Sequence, residues 1–143
     1  MTTRIRIASS DADLQACLAI RRTVFIEGQS VPEPEEFDGL DPSCTHFVAE
    51  EEGRAVGTAR LRIMDGHAKL ERLAVLSDRQ GRGTGSLLAR ALEAEARRLG
   101  HDEVLLGAQV QAIAFYERLG YAAEGPVYDD AGIPHRLMRR RIA

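Results

Sequence analysis

Leu73-Ala-Val-Leu-Ser-Asp-Arg-Gln-Gly-Arg-Gly-Thr-Gly-Ser86 is the stretch on which the reading of this chain turns. An apolar strand end runs into Gly81, Gly83 and Gly85, which alternate with Arg82 and Thr84. Leu87, Leu88, Ala91, Leu92, Glu95 and Leu99 then recur at helical spacing and stop at Gly100, the usual C-terminal signal. Glycine lets backbone N–H groups turn inward and approach a ligand closely. A helix N-terminus adds unpaired donors and the positive end of the macrodipole. Together they make an anion site suited to a pyrophosphate, with Arg79 and Arg82 as nearby charge. A tight strand-to-helix turn is the simpler reading, but it needs fewer than three glycines.

The two common nucleotide motifs do not fit. A P-loop needs a lysine directly after its glycines, and here Lys69 precedes them. The G-x-G-x-x-G fingerprint fails at its third glycine, where Ser86 stands.

Outward from the glycines, the N-terminal side holds three strands, at 45–51, 54–64 and 67–76, turned by Glu52-Gly53 and Asp65-Gly66. In the second, Ala59, Leu61 and Ile63 alternate against Arg60 and Arg62. In the third, Ala68 and Leu70 lie on one parity and Leu73 and Val75 on the other. A single slipped residue does this in a β-bulge; a strand buried on both faces gives the same pattern. Further upstream, residues 4–8 alternate as a short strand. Ser9-Ser10-Asp11 offers N-cap chemistry to a helix, with room for a break, over 11–27. Residues 28–43 form a long loop carrying Glu33, Glu35, Glu36, Asp38 and Asp41. On the C-terminal side come a buried strand at 103–108, a helix at 111–119 closed by Gly120, and two strands, 121–125 and 137–142, around a turn at 129–134.

The chain's 143 residues favour a single domain spanning 1–143, and 44% hydrophobic with 29% charged residues is an ordinary globular balance. No apolar run is long enough for a membrane helix, and the N-terminus lacks the apolar core of a secretory signal. With 19 basic against 22 acidic residues there is no basic excess for nucleic acid. The run Arg136, Arg139, Arg140, Arg141 reads as a solvated tail or edge strand. Cys17 and Cys44 have neither metal nor disulfide-framework spacing, so no metal is expected and a reduced, cytoplasmic setting is the default.

Gln80-Gly81-Arg82-Gly83-Thr84-Gly85 matches Gln-x-x-Gly-x-Gly and resembles the acetyl-CoA pyrophosphate loop of the GNAT N-acetyltransferases. Ala112-Ile-Ala-Phe115-Tyr116-Glu117-Arg118-Leu-Gly120-Tyr121 resembles that family's second signature, A-x-x-F-Y-E-K-x-G-F. Glu71-Arg-Leu-Ala-Val75 is similar to the central strand of the glucosamine-phosphate acetyltransferases. Gly107-Ala-Gln109, Gly132-Ile-Pro-His135, Arg22-Thr-Val-Phe25 through Gln29, and Asp38-Gly-Leu-Asp41 resemble the small bacterial branches typified by ElaA and YjcF.

The resemblance implies an α/β fold: a mixed, mostly antiparallel sheet with a bulged, splayed cofactor strand, flanked by helices. It implies acetyl-CoA as cosubstrate and direct transfer to a primary amine of a small molecule or peptide, and it allows a homodimer. It assigns the pantetheine arm to the backbone of Leu73, Ala74 and Val75. The pyrophosphate goes to the amides of Gln80, Gly81, Arg82, Gly83, Thr84, Gly85 and Ser86. Gln109 stands where many members have an asparagine, which puts its contact with the cofactor in question. Tyr116 takes the place of the tyrosine that protonates the departing thiolate; packing with Phe115 is its structural alternative. The amine must also lose a proton. Glu71, through water, is the preferred base, unless it points outward and pairs with Arg72 or Arg60. His135 competes because histidine titrates near neutrality. His46, His67 and His101 read as structural. The acidic loop is expected to border the acceptor cleft and favour a cationic amine. A CoA-binding module without turnover is the alternative to an enzyme.

Overall fold

A computed structural model describes residues 2–143. Seven strands form one sheet: β1 (Thr3–Ile7), β2 (Thr45–Glu51), β3 (Arg54–Met64), β4 (His67–Val75), β5 (Glu103–Gln109), β6 (Ala122–Asp130) and β7 (Ile133–Arg141). Their order is β1-β2-β3-β4-β5-β7-β6, antiparallel throughout except for β4 beside β5. The helices are α1 (Asp11–Arg21), the short α2 (Glu33–Glu36), α3 (Thr84–Arg98) and α4 (Ile113–Arg118). This is the mixed, mostly antiparallel α/β architecture that the resemblance implies.

Ser10 caps α1, its hydroxyl accepting from the Asp13 N–H at 3.1 Å. The helix then runs on as a π-helical stretch, Arg22–Glu27. The break that the sequence allows is therefore a change of hydrogen-bond period rather than of path. Such stretches are frequent at functional sites.

The phase switch in β4 is a bulge. Thr58 pairs with Ala74 and Arg60 with Glu71, so β3 uses one residue, Ala59, where β4 uses two, Arg72 and Leu73. Arg72 absorbs the extra residue in the left-handed region, at φ 56°. Ala68 and Leu70 face the core before the bulge, and Leu73 and Val75 pack against it afterwards.

That core lies between the sheet and α3. Leu88, Ala89, Leu92 and Ala96 of α3 are fully buried against Phe47, Ala59, Leu61, Leu70, Val104, Leu106 and Met138. The approach is close enough to require Gly57, where a Cβ would stand 3.0 Å from Leu88 Cδ1 and 3.2 Å from the Ala74 carbonyl.

The last hairpin departs from expectation. β6 and β7 are longer than the 121–125 and 137–142 segments, and the turn is only Ala131-Gly132, both at positive φ. β6 is a sheet edge exposed over nearly its whole length, so it carries no apolar alternation to read. An irregularity between Glu124 and Tyr128 further obscures its period. The basic run is engaged by the protein itself: Arg136 donates to the Gly125 carbonyl, and Arg139, Arg140 and Arg141 pair with carboxylates.

Candidate active site

β4 and β5 pair only through Ala68 with Val104 and Lys69 with Leu105, then part. The strand end beyond Lys69 keeps β3 on one side and has no ladder partner on the β5 side. The gap is a cleft of about 330 Å³ lined by the 70–75 backbone, Gly107, Gln109, Tyr116, Tyr128 and His135. Val24 and Phe25, from the π-helical stretch, complete the wall from above.

At one end of this cleft lies the glycine turn. Gly81 and Gly83 sit at φ 77° and 82°, conformations that side chains rarely adopt. A Cβ at either would meet nothing within 4 Å, so the backbone faces open space. No side chain caps α3, which leaves its first N–H groups for a ligand. Gln80 instead donates to the Val75 carbonyl at 3.1 Å and holds the turn to the strand. Gly85 has a different reason to be glycine: its Cβ would stand 3.2 Å from Phe115 Cζ. It is a packing contact that joins the two sequence signatures.

Tyr116 lines the cleft from α4, edge-to-face with Phe115 at 5.0 Å and with Tyr121 at 5.9 Å. Burial pushes its phenol well above the ordinary range, so it stays protonated and keeps an O–H to donate. Tyr121, by contrast, spends its hydroxyl on Glu93 at 2.9 Å, deep in the core.

His135 comes from β7, opposite Gln109 on one side and Tyr128 on the other. Its Nδ1 lies 2.7 Å from the Ile133 carbonyl. A carbonyl only accepts, so Nδ1 carries the proton and Nε2 presents a lone pair. Tyr128 stacks on the ring at 5.8 Å. Gly107 makes room for this pair, since a Cβ there would fall 2.3 Å from the Tyr128 hydroxyl oxygen. Gln109 is engaged by Gln29 at 2.7 Å and by Gln111 at 2.5 Å, tying the end of the first helical segment to β5.

Glu71 lines the cleft, and its carboxylate is held by Arg60 at 2.8 and 3.2 Å and by Arg62 at 3.4 Å. It belongs to an ionic layer between the sheet and the acidic loop. Arg21 pairs with Glu36 and Asp41, each at 2.7 Å, and Arg60 with Asp38 and Asp41, each at 3.0 Å. Arg72 pairs with Glu36 and Asp38 at 3.2 Å and donates to the Glu35 and Glu36 carbonyls. Burial pushes the Asp38 carboxyl up, but hydrogen bonds from Arg60 and the Leu40 amide, with the charges of Arg60 and Arg72, outweigh it and hold it at about 2. Burial lowers the pKa of His46 in the same layer and keeps it neutral.

The loop expectation is thus corrected. The loop does border the cleft, through Glu35 and Glu36, but most of its charge is spent: Glu36, Asp38 and Asp41 fold inward onto arginines, and Glu33 pairs with Arg22. Composition shows the charge of a loop but not the buried arginines that neutralise it.

The sequence profile of the Acetyltransferase (GNAT) family matches residues 14–121, three quarters of the chain. The chain belongs to the GNAT family. The N-acetyltransferase YjcF of Bacillus subtilis, itself uncharacterized, is 37% identical over 135 residues, 94% of this chain and 96% of the relative. Among solved structures, an acyl-CoA N-acyltransferase from Pseudomonas aeruginosa superposes with a TM-score of 0.86 at 30% identity, covering 97% of this chain and 99% of that one. Escherichia coli ElaA does so with 0.85 at 26%, covering 98% and 100%. This GNAT chain is accordingly an N-acetyltransferase, and a binding module without turnover is not favoured.

Sequence reasoning passed over Tyr128 and the bulge clamp of Arg72. The clamp had a signal, since Arg72 sits at the parity switch. Tyr128 had none, because only the β6–β7 register brings it to His135.

Proposed function

We propose that this GNAT enzyme takes acetyl-CoA and transfers the acetyl group directly to a primary amine. The parting of β4 from β5 beside an uncapped, glycine-entered helix carries the reading. The backbone of Leu73, Ala74 and Val75 offers strand-type hydrogen bonds to the pantetheine arm. The amides from Gln80 to Ser86 take the pyrophosphate. A backbone N–H at the bulge stabilises the charge that develops on the thioester oxygen.

His135 is the better placed base. It lines the cleft and its Nε2 has no hydrogen-bond partner among the described residues, whereas both Glu71 oxygens are taken by guanidinium groups. Glu71 holds Arg60 and orders water at the cleft wall. Tyr116 donates to the sulfur as the C–S bond breaks. A thiolate, with an ordinary pKa of ~8.5, is too weak a base to strip this tyrosine outright. The hydrogen bond therefore stabilises the leaving thiolate, Tyr116 keeps its proton, and the thiolate takes its own proton from water.

Calorimetry with acetyl-CoA, followed by thiol release across an amine panel, tests the reading. Gly83→Val should abolish binding while the fold survives. Tyr116→Phe should lower kcat by ~10²–10⁴-fold at unchanged acetyl-CoA affinity. Unchanged affinity in Gly83→Val removes the pyrophosphate assignment, and unchanged turnover in Tyr116→Phe reduces that side chain to packing.

A further inference from the structure

The chain contains a single lysine, Lys69; every other basic side chain is an arginine. That lysine lines the cleft. It stands at the last paired position before β4 and β5 part, opposite Leu105. Around it the ionic layer balances: among the described residues, Arg21, Arg60, Arg62 and Arg72 are matched by Glu36, Asp38, Asp41 and Glu71. Lys69 is a fifth cation, and among the described residues it forms no ion pair, although Glu35 and Asp130 line the same cleft. Its cross-strand neighbour is Arg62, a like charge whose own partner is Glu71 at 3.4 Å.

Register places Lys69 on the same sheet face as His135. Lys69 pairs with Leu105, side chains of Leu105 and Gln109 share a face by the two-residue period, and Gln109 pairs with His135. Between them lies Gly107, over which the Tyr128 hydroxyl sits, so a polar group covers that part of the floor. The two backbone positions are roughly 16 Å apart, four residues along and two strands across. A lysine stem and an imidazole ring span much of that, leaving space for a small molecule. We infer that Lys69 anchors a carboxylate on the acceptor, whose amine lies toward His135 and the thioester. This rests on the acetyltransferase reading above and narrows it to amines that also bear a carboxylate.

The test compares matched acceptors, the same amine with a carboxylate or with the uncharged carboxamide, in thiol-release kinetics. The wild-type enzyme should favour the carboxylate by ~10–100-fold in kcat/KM, the range for one charge-assisted hydrogen bond. In Lys69→Ala the ratio should fall to near one; in Lys69→Arg a good part should survive. Acetyl-CoA affinity reports that each variant is folded. A wild-type ratio near one, or a ratio unchanged by Lys69→Ala, overturns the anchor while leaving the transferase reading intact. Absence of acetyl-CoA binding overturns both. A second readout needs no turnover: protein made with isotope-labelled lysine gives one lysine side-chain signal, which should shift saturably with the carboxylate amine in the presence of CoA. A signal that ignores it, or follows the carboxamide equally, rejects the anchor.

Discussion

The two faces of the central sheet are built on different physics. Toward α3 the contact is apolar: aliphatic side chains at helical spacing against aliphatic side chains at strand spacing. Toward α1 and the acidic loop, Arg21, Glu36, His46 and Arg60 are buried together. Burying apolar area contributes directly, at ~25 cal/mol per Å². A buried ion pair contributes little net energy against a well-packed apolar replacement, but removing one partner is costly. The apolar face therefore supplies stability, whereas the ionic face supplies position. It fastens the 33–41 loop to the bulge in β4, beside the cleft, and does so through named pairs that admit one arrangement.

Breaking the ionic face at its centre should give the largest effect. Arg60→Ala takes one of two guanidinium partners from each of Asp38, Asp41 and Glu71, and should cost ~3–5 kcal/mol in urea denaturation. The pH response should also weaken. Asp38 loses the Arg60 hydrogen bonds that help to hold it at about 2, so less stability should be lost as pH falls through the carboxylate range. A loss below ~1 kcal/mol, with an unchanged acid limb, would show that the layer is solvated rather than buried.

Leu92→Ala is the matching cut in the apolar face. It should cost ~2–5 kcal/mol through transfer and cavity terms. Its pH response should be that of the wild type, and its KM for any acceptor should be nearly unchanged. Acceptor KM moving as much as in Arg60→Ala would dissolve the distinction between the faces.

A smaller effect separates backbone from side chain at the bulge. Arg72→Gly and Arg72→Ala both lose the clamp on the Glu35 and Glu36 carbonyls, but only alanine keeps a Cβ at φ 56°. Glycine should be the more stable of the two by ~1–2 kcal/mol. Equal stabilities would mean that the bulge relaxes once the guanidinium is gone.

The smallest expected effect is the wild type's own titration. His46 has a pKa lowered by burial, so the unfolded chain takes up its proton first, and stability should begin to fall below pH ~6.5. Asp38, held at about 2, adds stability above the ordinary carboxylate range that is lost as pH falls toward that value. Urea midpoints against pH should show both limbs, and His46→Gln should remove the upper one. A flat profile between pH 7 and 5 would argue against a buried neutral His46.

Much of this molecule was legible before any coordinates. The strands at 45–51 and 54–64 agree residue for residue, because the Glu52-Gly53 and Asp65-Gly66 turns, all four residues at positive φ, bound them sharply. The bulge was legible as a parity switch, since a slipped residue changes which side chains are apolar. β6 was not, because an exposed edge leaves composition free. Nor was the fate of the loop's carboxylates, because Arg21, Arg60 and Arg72 come from three different elements.

By itself, then, the sequence determined the element order, the bulged strand, the glycine-entered helix and the family, all of which rest on local periods and short motifs. Only the tertiary structure decided that most of the acidic loop is neutralised, that Glu71 is clamped, and that, among the described residues, His135 keeps Nε2 free and Lys69 lines the cleft without an ion-pair partner. These depend on which charges meet across strands distant in sequence, and charge pairing at ~3 Å leaves no periodic trace along the chain.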